Sequence, residues 1–502
     1  MKRVALLVIV VALAALGAVS IPIIEARNAW RRGNDAEAMA IAQRWSWLPF
    51  PLLDKTEVAQ RLFSRERYAD FLAYDAVIRD SHDPPQVLLY RAAAYAATEQ
   101  IPKADATLQA IDARTPKYNV LRAAIEERKG GAASYVFDRA GRVIGMYRDH
   151  AVVATDPDFA PLVEAKGGAL TFGARVAEIG PNATIDTTLD PFVQKAALAA
   201  LGNYRGSLVA IDPRTNEVLA IANSGPGTNR AFENEYEPGS VVKVLTGLNA
   251  LSGAANVDAM FPYVCNGVLM IDGRRFVDWV PQGHGKLNSF EDALAVSCNV
   301  FFADLGLHLG RDRLERSMRS AGFDAQANLG IFQVPLGKTV GRVFDNFETA
   351  FFAIGLEHEE INAIHLAMLA SMVANRGVLT TPRLLRQRRS ILGDVVMTAP
   401  PQGRTRIATA AAAERMIHAM QAVATQPRGT GRRAPVEGLS LAMKTGTSGD
   451  RKAGLEALIM AFSPVDNPKI AFGVIAEGAG PAEYAGAKIA HDFLERMRGA
   501  LQ

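Results

Sequence analysis

Leu441-Ala442-Met443-Lys444-Thr445-Gly446-Thr447 opens with three apolar residues and passes at once into a lysine, a hydroxyl, a glycine and a second hydroxyl. The apolar run reads as the end of a β-strand, and a glycine in such a run marks a place where another backbone approaches closely. A substrate chain could pair along that edge. Two further strands follow, Ala457 to Phe462 and Ile470 to Ala476, and the C-terminal segment after them has the spacing of an amphipathic helix. Far upstream, Ser207 to Ile211 and Glu217 to Asn223 alternate about the turn Asp212-Pro213-Arg214-Thr215-Asn216, with a helix from Pro191 to Leu201 ahead of them. Between the two sets of strands lie long helical segments, including Leu356 to Asn375. Hairpins at both ends with helices between them predict an α+β fold, an antiparallel sheet flanked by helices and not a doubly wound parallel one.

The same edge carries chemistry when two other short motifs are read with it. Ser240-Val-Val-Lys243 puts a hydroxyl and an amine one helical turn apart, within hydrogen-bond reach. Ser297-Cys298-Asn299 comes next along the chain, and Lys444 to Thr447 last. Each motif alone is weak, whereas the three in this order specify a serine acyl-transfer site. Glu237-Pro238-Gly239 ends a loop so that Ser240 opens a helix continuing through Val244, Leu245, Leu248 and Leu251. The helix start favours negative charge developing on an attacked carbonyl oxygen. A neutral or proton-sharing Lys243 would take the Ser240 proton, and Ser297 and Lys444 would pass it towards a leaving amine.

The chain from about Ala183 onward resembles the penicillin-binding proteins, the serine D,D-peptidases that cross-link peptidoglycan, and most of all their monofunctional class B members. Besides the motifs, the resemblance rests on Thr184 to Asp190, Ala210 to Ala220, Asp278-Trp279, Gly283-His284-Gly285 and Ala374-Asn375-Arg376-Gly377. It implies Ser240 as the acylated nucleophile, Lys243 as its base, Ser297 and Asn299 as the second motif, and Lys444 to Thr447 as the substrate-binding strand. It also implies an oxyanion hole from the Ser240 and Thr447 N–H groups, with the Thr445 and Thr447 hydroxyls holding the substrate carboxylate and Lys444 adding positive charge nearby. Peptidoglycan stem peptides ending in D-Ala-D-Ala would be substrates and β-lactams inhibitors. The chain departs from the family where many relatives have Gly-Gln-Gly followed by Thr-Pro, having Gly355-Leu356-Glu357 and Ile361 to Ile364, and where an aromatic-rich strand is usual, having Glu456 to Phe462. These changes are expected to flank the groove without touching the motifs. A D,D-carboxypeptidase, a serine β-lactamase and a non-enzymatic sensor or scaffold are the competing readings.

The 502 residues exceed one core, and 49% hydrophobic content suits globular packing. A net charge of +3, from 55 basic and 52 acidic residues, gives no field for binding nucleic acid. No cofactor is expected, and no metal, since His358 and His365 are not in an H-E-x-x-H spacing. Cys265 and Cys298 are too few for a disulfide framework, though they could pair in an oxidising compartment.

Lys2 and Arg3 precede an uncharged stretch from Val4 to Ile24, long enough to span a bilayer. A signal anchor over residues 1–27 is expected, holding the catalytic part outside the cytoplasm at the inner membrane; the rival is cleavage near Ala18-Val19-Ser20. Residues 28–130 read as alanine-rich helices with a tetratricopeptide-like pair after Asp83-Pro84-Pro85, or as a plain helical bundle. Residues 131–181 read as a strand-containing linker, with a hairpin about Asp138-Arg139-Ala140-Gly141, and residues 182–502 as the catalytic domain. The short N-terminal region lacks the paired glutamates of a glycosyltransferase, so the helices are a candidate docking surface for a separate glycan polymerase or divisome protein.

Overall fold

The computed structural model describes residues 19–502 apart from positions 49, 79–82, 113, 149–150, 165–171, 173–175, 177–181, 183, 226–228, 234, 342–344 and 451–453. Residues 1–18 of the expected anchor lie outside the described residues. Residues 19–31 are helical, and among the described residues no helix is long and apolar enough to cross a membrane.

Five antiparallel strands form the main sheet, in the order Ala442–Asp450, Gly454–Ser463, Ile470–Ala476, Gly206–Asp212, Glu217–Ser224. The two hairpins foreseen at opposite ends of the sequence therefore join side by side. Helices cover both faces, and period-two alternation decides which residue meets which helix. Phe472 packs edge to face on Phe493 of the C-terminal helix Ala485–Leu501, with ring centroids 5.1 Å apart. Its neighbour Gly473 points the other way, where an added Cβ would lie 2.5 Å from Ala363 O. The helix Ala363–Ala374 can press on the sheet there only because that position has no side chain. Every residue of this helix is buried, as its apolar character on all sides requires.

The helix begins at Ala363, later than the Leu356 that periodicity suggests. Asn362 caps it by accepting from His365 N at 3.1 Å, and the preceding Glu359–Glu360 pairs with Lys338–Thr339 as a short ladder. Gly355 and Glu357 have positive φ, which stops a helix from extending back through them.

His365 is fully buried, accepting from Gly337 N at Nδ1 (2.9 Å) and donating from Nε2 to Ala321 O (2.8 Å). Burial pushes its pKa down to about 4, partly offset by the bond to Ala321. The unfolded chain would bind this proton near pH 6.5, so stability is intact above that pH and falls as pH drops towards 4, by about 3 kcal/mol in all. In urea titrations at pH 7 and pH 5, His365→Gln should flatten the difference shown by wild type, because glutamine can make both bonds without titrating; an unchanged difference would assign it to other groups.

A second, six-stranded sheet runs Val395–Thr398, Leu385–Arg389, Thr184–Thr187, Ala132–Phe137, Val143–Arg148, Ala151–Ala154. Only the pair Ala132–Phe137 and Thr184–Thr187 is parallel. The expected hairpin is there, with Asp138 Oδ1 accepting from Ala140 N and Arg142 N and with Gly141 at φ +81°. The expected division at residue 181 is corrected by this sheet: strands from before and after it share one ladder, and two come from deep within the catalytic sequence. The excursion Leu385–Thr398 also places Ile391 and Leu392 in the apolar core of the N-terminal helices, and Lys117 pairs with Asp394 at 2.8 Å. Those helices include Asp35–Arg44, Lys55–Phe63, Tyr68–Val77, Pro85–Ala97, Ile101–Gln109 and Pro116–Lys129.

Candidate active site

Ser240 lies in a single 3-10 turn, Gly239–Val241, ahead of the α-helix Lys243–Asn249. The one continuous helix foreseen from Ser240 to Leu251 is thus tightened at its start and ends in a π-type turn, Ala250–Ala254, where Gly253 has φ +97°. Two backbones enclose the nucleophile turn. A Cβ on Gly239 would lie 2.6 Å from Thr447 O and 3.2 Å from Thr447 N, and one on Gly446 would lie 2.6 Å from Pro238 O. On the other side Gly239 N donates to Gly355 O at 2.8 Å, and a Cβ on Gly355 would meet Gly239 O at 2.2 Å. Gly355, the one residue of Gly355-Leu356-Glu357 that keeps the family pattern, thus backs directly on the turn bearing Ser240. Glu357 N also donates to Glu237 Oε1 at 3.0 Å.

Lys243 is fully buried on the nucleophile helix. Its amine donates to Ser297 O (2.8 Å), Ser297 Oγ (3.2 Å) and Asn299 Oδ1 (2.5 Å). The sequence suggests a direct bond to Ser240, but these three bonds direct the amine to the second motif. Ser297 reaches this place because its φ is +54°, left-handed for a residue with a side chain. Cys298 follows as the N-cap of helix Asn299–Leu309, its sulfur accepting from Phe301 N at 3.3 Å, so Asn299 projects from the first turn towards Lys243.

Lys444 is buried too, donating to Ser297 Oγ (2.9 Å) and Thr445 O (2.8 Å). One hydroxyl thus bridges two amines. Burial pushes the Lys243 pKa down to about 8, against the opposing pull of the Asp278 charge. Burial, and then the Lys243 charge, hold Lys444 well below the usual lysine range. Two ammonium groups this close, out of water, disfavour each other, so one amine is readily neutral near physiological pH. Such a trio can hold a proton and hand it on. It also changes the expected role of Lys444: its amine is spent beneath Ser297, leaving anion recognition chiefly to hydroxyls. Thr445 Oγ1 lies 2.6 Å from Thr430 Oγ1, and Thr447 Oγ1 accepts from Ala482 N at 3.0 Å. Thr430 carried no motif signal, although the Gly429-Thr430-Gly431 run marks a tight turn in the sequence.

Behind the second motif, Asp278 is buried and anchors the turn. Its Oδ2 accepts from Val300 N (3.1 Å) and Cys298 Sγ (3.4 Å), and its Oδ1 accepts from Val280 N (3.2 Å) and lies 3.1 Å from His284 Nε2. Burial alone would raise its pKa, but the His284 bond, the Val300 N–H and the Lys243 charge bring it down to about 2. Cys265 completes the group, with its sulfur, the Cys298 sulfur and an Asp278 oxygen within 4.8 Å of one another. Two thiols and a carboxylate, with an imidazole beside them, are donors of the kind that hold a zinc-type ion. These donors come from separate loops, an arrangement that contiguous spacing in the sequence does not display. Asp278→Ala would strip one buried and one partly buried N–H group of their acceptor, lowering unfolding free energy by about 2 kcal/mol. Acylation should slow with it, while Asp278→Asn is milder; a full acylation rate in the alanine variant would detach Asp278 from the site.

The antiparallel sheet, the serine at a constricted turn, the two amines sharing the second motif's hydroxyl and the adjacent strand edge have the layout of a serine acyltransferase with buried lysines beside its nucleophile. Residues 206–497 match the penicillin binding protein transpeptidase domain. The chain belongs to that family. It is 28% identical over 359 residues to the peptidoglycan D,D-transpeptidase PbpA of Mycolicibacterium smegmatis, covering 62% of this chain and 71% of that one. With the peptidoglycan D,D-transpeptidase MrdA of Acinetobacter baumannii it shares 29% identity over 341 residues, 58% of this chain and 50% of that one. Among solved structures, the penicillin G acyl-enzyme of penicillin-binding protein A from Mycobacterium tuberculosis has the same fold, with a TM-score of 0.64 at 21% identity over 74% of this chain and 100% of that one.

Proposed function

We propose that this chain is a monofunctional class B penicillin-binding protein, a peptidoglycan D,D-transpeptidase working through an acyl-enzyme on Ser240. The observation that carries the reading is the Ser297 hydroxyl placed between the Lys243 and Lys444 amines, 3.2 Å from one and 2.9 Å from the other. Ser240 Oγ attacks the carbonyl of the penultimate D-alanine of a stem peptide, and its proton passes to the neutral Lys243 amine. The Ser240 and Thr447 N–H groups receive the oxyanion. As the tetrahedral adduct collapses, the proton moves through Ser297 to the departing D-alanine nitrogen. The amine of a second stem then attacks the ester, forms the cross-link and releases Ser240. The Thr445 and Thr447 hydroxyls select the terminal carboxylate.

The likeness to enzymes named peptidoglycan D,D-transpeptidase supports the acceptor being an amine rather than water. Anchoring by the apolar N-terminus, an active site outside the cytoplasm, and docking of a glycan polymerase or divisome protein on residues 28–130 belong to the same proposal. The deciding experiment offers the purified enzyme a pentapeptide donor and a tetrapeptide acceptor and separates products by mass. Cross-linked dimer with release of D-alanine is expected; tetrapeptide alone would make the enzyme a carboxypeptidase, and no turnover would leave a sensor.

A further inference from the structure

The N-terminal helical region carries an aromatic loop with no role in the acylation site. Trp47 is 70% exposed and Phe50 44%, and Trp45 packs on Trp47 with ring centroids 5.6 Å apart. Ile21 and Ile24, on the helix of residues 19–31, are 58% and 56% exposed. These two exposed groups are distant in sequence and are joined by a tight reversal. Gly33, at φ +86°, closes the first helix, with Asn34 N donating to Ala29 O at 3.0 Å; Asn34 then caps Asp35–Arg44 by accepting from Glu37 N at 3.3 Å. A connection this short makes consecutive helices antiparallel neighbours. Small buried residues, Ala26 and Ala29 of one helix and Ala38 and Ala42 of the other, belong to one apolar cluster. At 1.5 Å per residue the second helix returns about 14 Å, bringing its end at Arg44 back to the level of residues 22–24.

Trp45 to Leu48 thus leave the hairpin at the end where Ile21 and Ile24 are exposed. That is also the end at which the uncharged stretch beginning at Val4 enters the hairpin. Arg27, Arg31 and Arg32 lie on the other side of the two isoleucines along the first helix, and all three are exposed. An apolar and aromatic group followed by a band of arginines is the pattern of a surface seated at a lipid headgroup layer, where tryptophan is favoured and guanidinium groups meet phosphates.

We propose that Trp47 and Phe50 form a membrane-contact patch beside the end of the anchor, whose last turn carries Ile21 and Ile24, and that this patch seats the helical region against the bilayer from which the chain emerges. The proposal rests on the anchoring reading for the direction from which lipid approaches. The patch gives the N-terminal region a second attachment beside the anchor, and so fixes its tilt relative to the membrane plane. A helix leaving a bilayer through a single point could swivel; one held also by an aromatic loop beside it could not.

The test uses the full chain with vesicles of phosphatidylethanolamine and phosphatidylglycerol, prepared with and without brominated acyl chains. Tryptophan emission should be quenched by the brominated lipid, and Trp47→Phe should remove most of the quenched component while circular dichroism stays unchanged. Flotation of the vesicles reports anchoring independently of Trp47: flotation without quenching overturns the patch alone, whereas loss of flotation sinks the anchor reading and the patch with it. Equal quenching in wild type and Trp47→Phe, or none in either, overturns the patch and leaves the loop free for a protein partner. Trp47→Ser with Phe50→Ser gives a second readout: greater protease access to the hairpin in vesicles but not in detergent.

Discussion

Ser240→Ala will form no covalent adduct with a fluorescent penicillin and will make no cross-linked dimer, while its circular dichroism and melting temperature stay close to wild type. The loss is expected to be on the order of 10⁶ in rate, because the acyl-enzyme has no other atom on which to form. Stability should be spared, since Ser240 is only partly buried and the close packing of its turn comes from Gly239, Gly355 and Gly446. Intact-mass measurement after incubation with penicillin is the direct check. Wild type should gain the mass of one β-lactam and the variant none; an adduct persisting on the variant would place the nucleophile elsewhere and remove the basis of the proposed reaction.

Lys243→Met should retain the fold and lose about 10³-fold in acylation rate, the size of a general-base contribution. Methionine has the length and the apolar character to fill the space, but it leaves Ser297 and Asn299 without the donor that holds them. The pH dependence separates loss of a base from loss of shape. With the Lys243 pKa pushed down to about 8 by burial, the neutral amine that can accept a proton becomes more abundant as pH rises through that value. The wild-type acylation rate should climb over this interval and level off above it. In Lys243→Met the climb should vanish along with the rate. A variant that is slow but keeps an inflection near 8 would assign the titration to another group, with Lys444 the first candidate.

The sheet was legible because its strands are short apolar runs flanked by turn residues, and both hairpins are local in sequence. Their junction, Ile470–Ala476 against Gly206–Asp212, is not local, but two hairpins with buried faces and helices between them have few other ways to close. The start of helix Ala363–Ala374 was harder to read. Leu356 and Ile361 continue the apolar pattern, while the feature that excludes them from the helix is backbone geometry at Gly355 and Glu357. The strand pairing that unites both sides of residue 181 depends on Leu385–Arg389, which nothing in its own sequence directs to a distant partner.

For the site, the structure brings side chains of the three motifs together, and spacing alone placed Ser240 and Lys243 on one turn. Spacing did not reveal where the Lys243 amine points, because its direction is set by Ser297 and Asn299 from another loop. Nor could it reveal Gly355 behind Gly239, Thr430 beside Thr445, or the gathering of Cys265, Asp278 and Cys298. Each of these depends on chain segments far apart in sequence, and a single sequence carries little trace of such meetings.

The excursion from Leu385 to Thr398 acts as a mechanical linkage. At one end Arg383 N donates to Asn216 O and Val218 N donates to Arg383 O, gripping the edge of the catalytic sheet; at the other, Ile391 and Leu392 are wedged among the N-terminal helices. Pulling or tilting the amino-terminal bundle would therefore tug on the outermost strand of the enzyme's sheet through a run of eight or nine residues, which a taut strand spans in about 30 Å. In that strap the fold has a route by which load on the N-terminal helices is passed to the catalytic sheet.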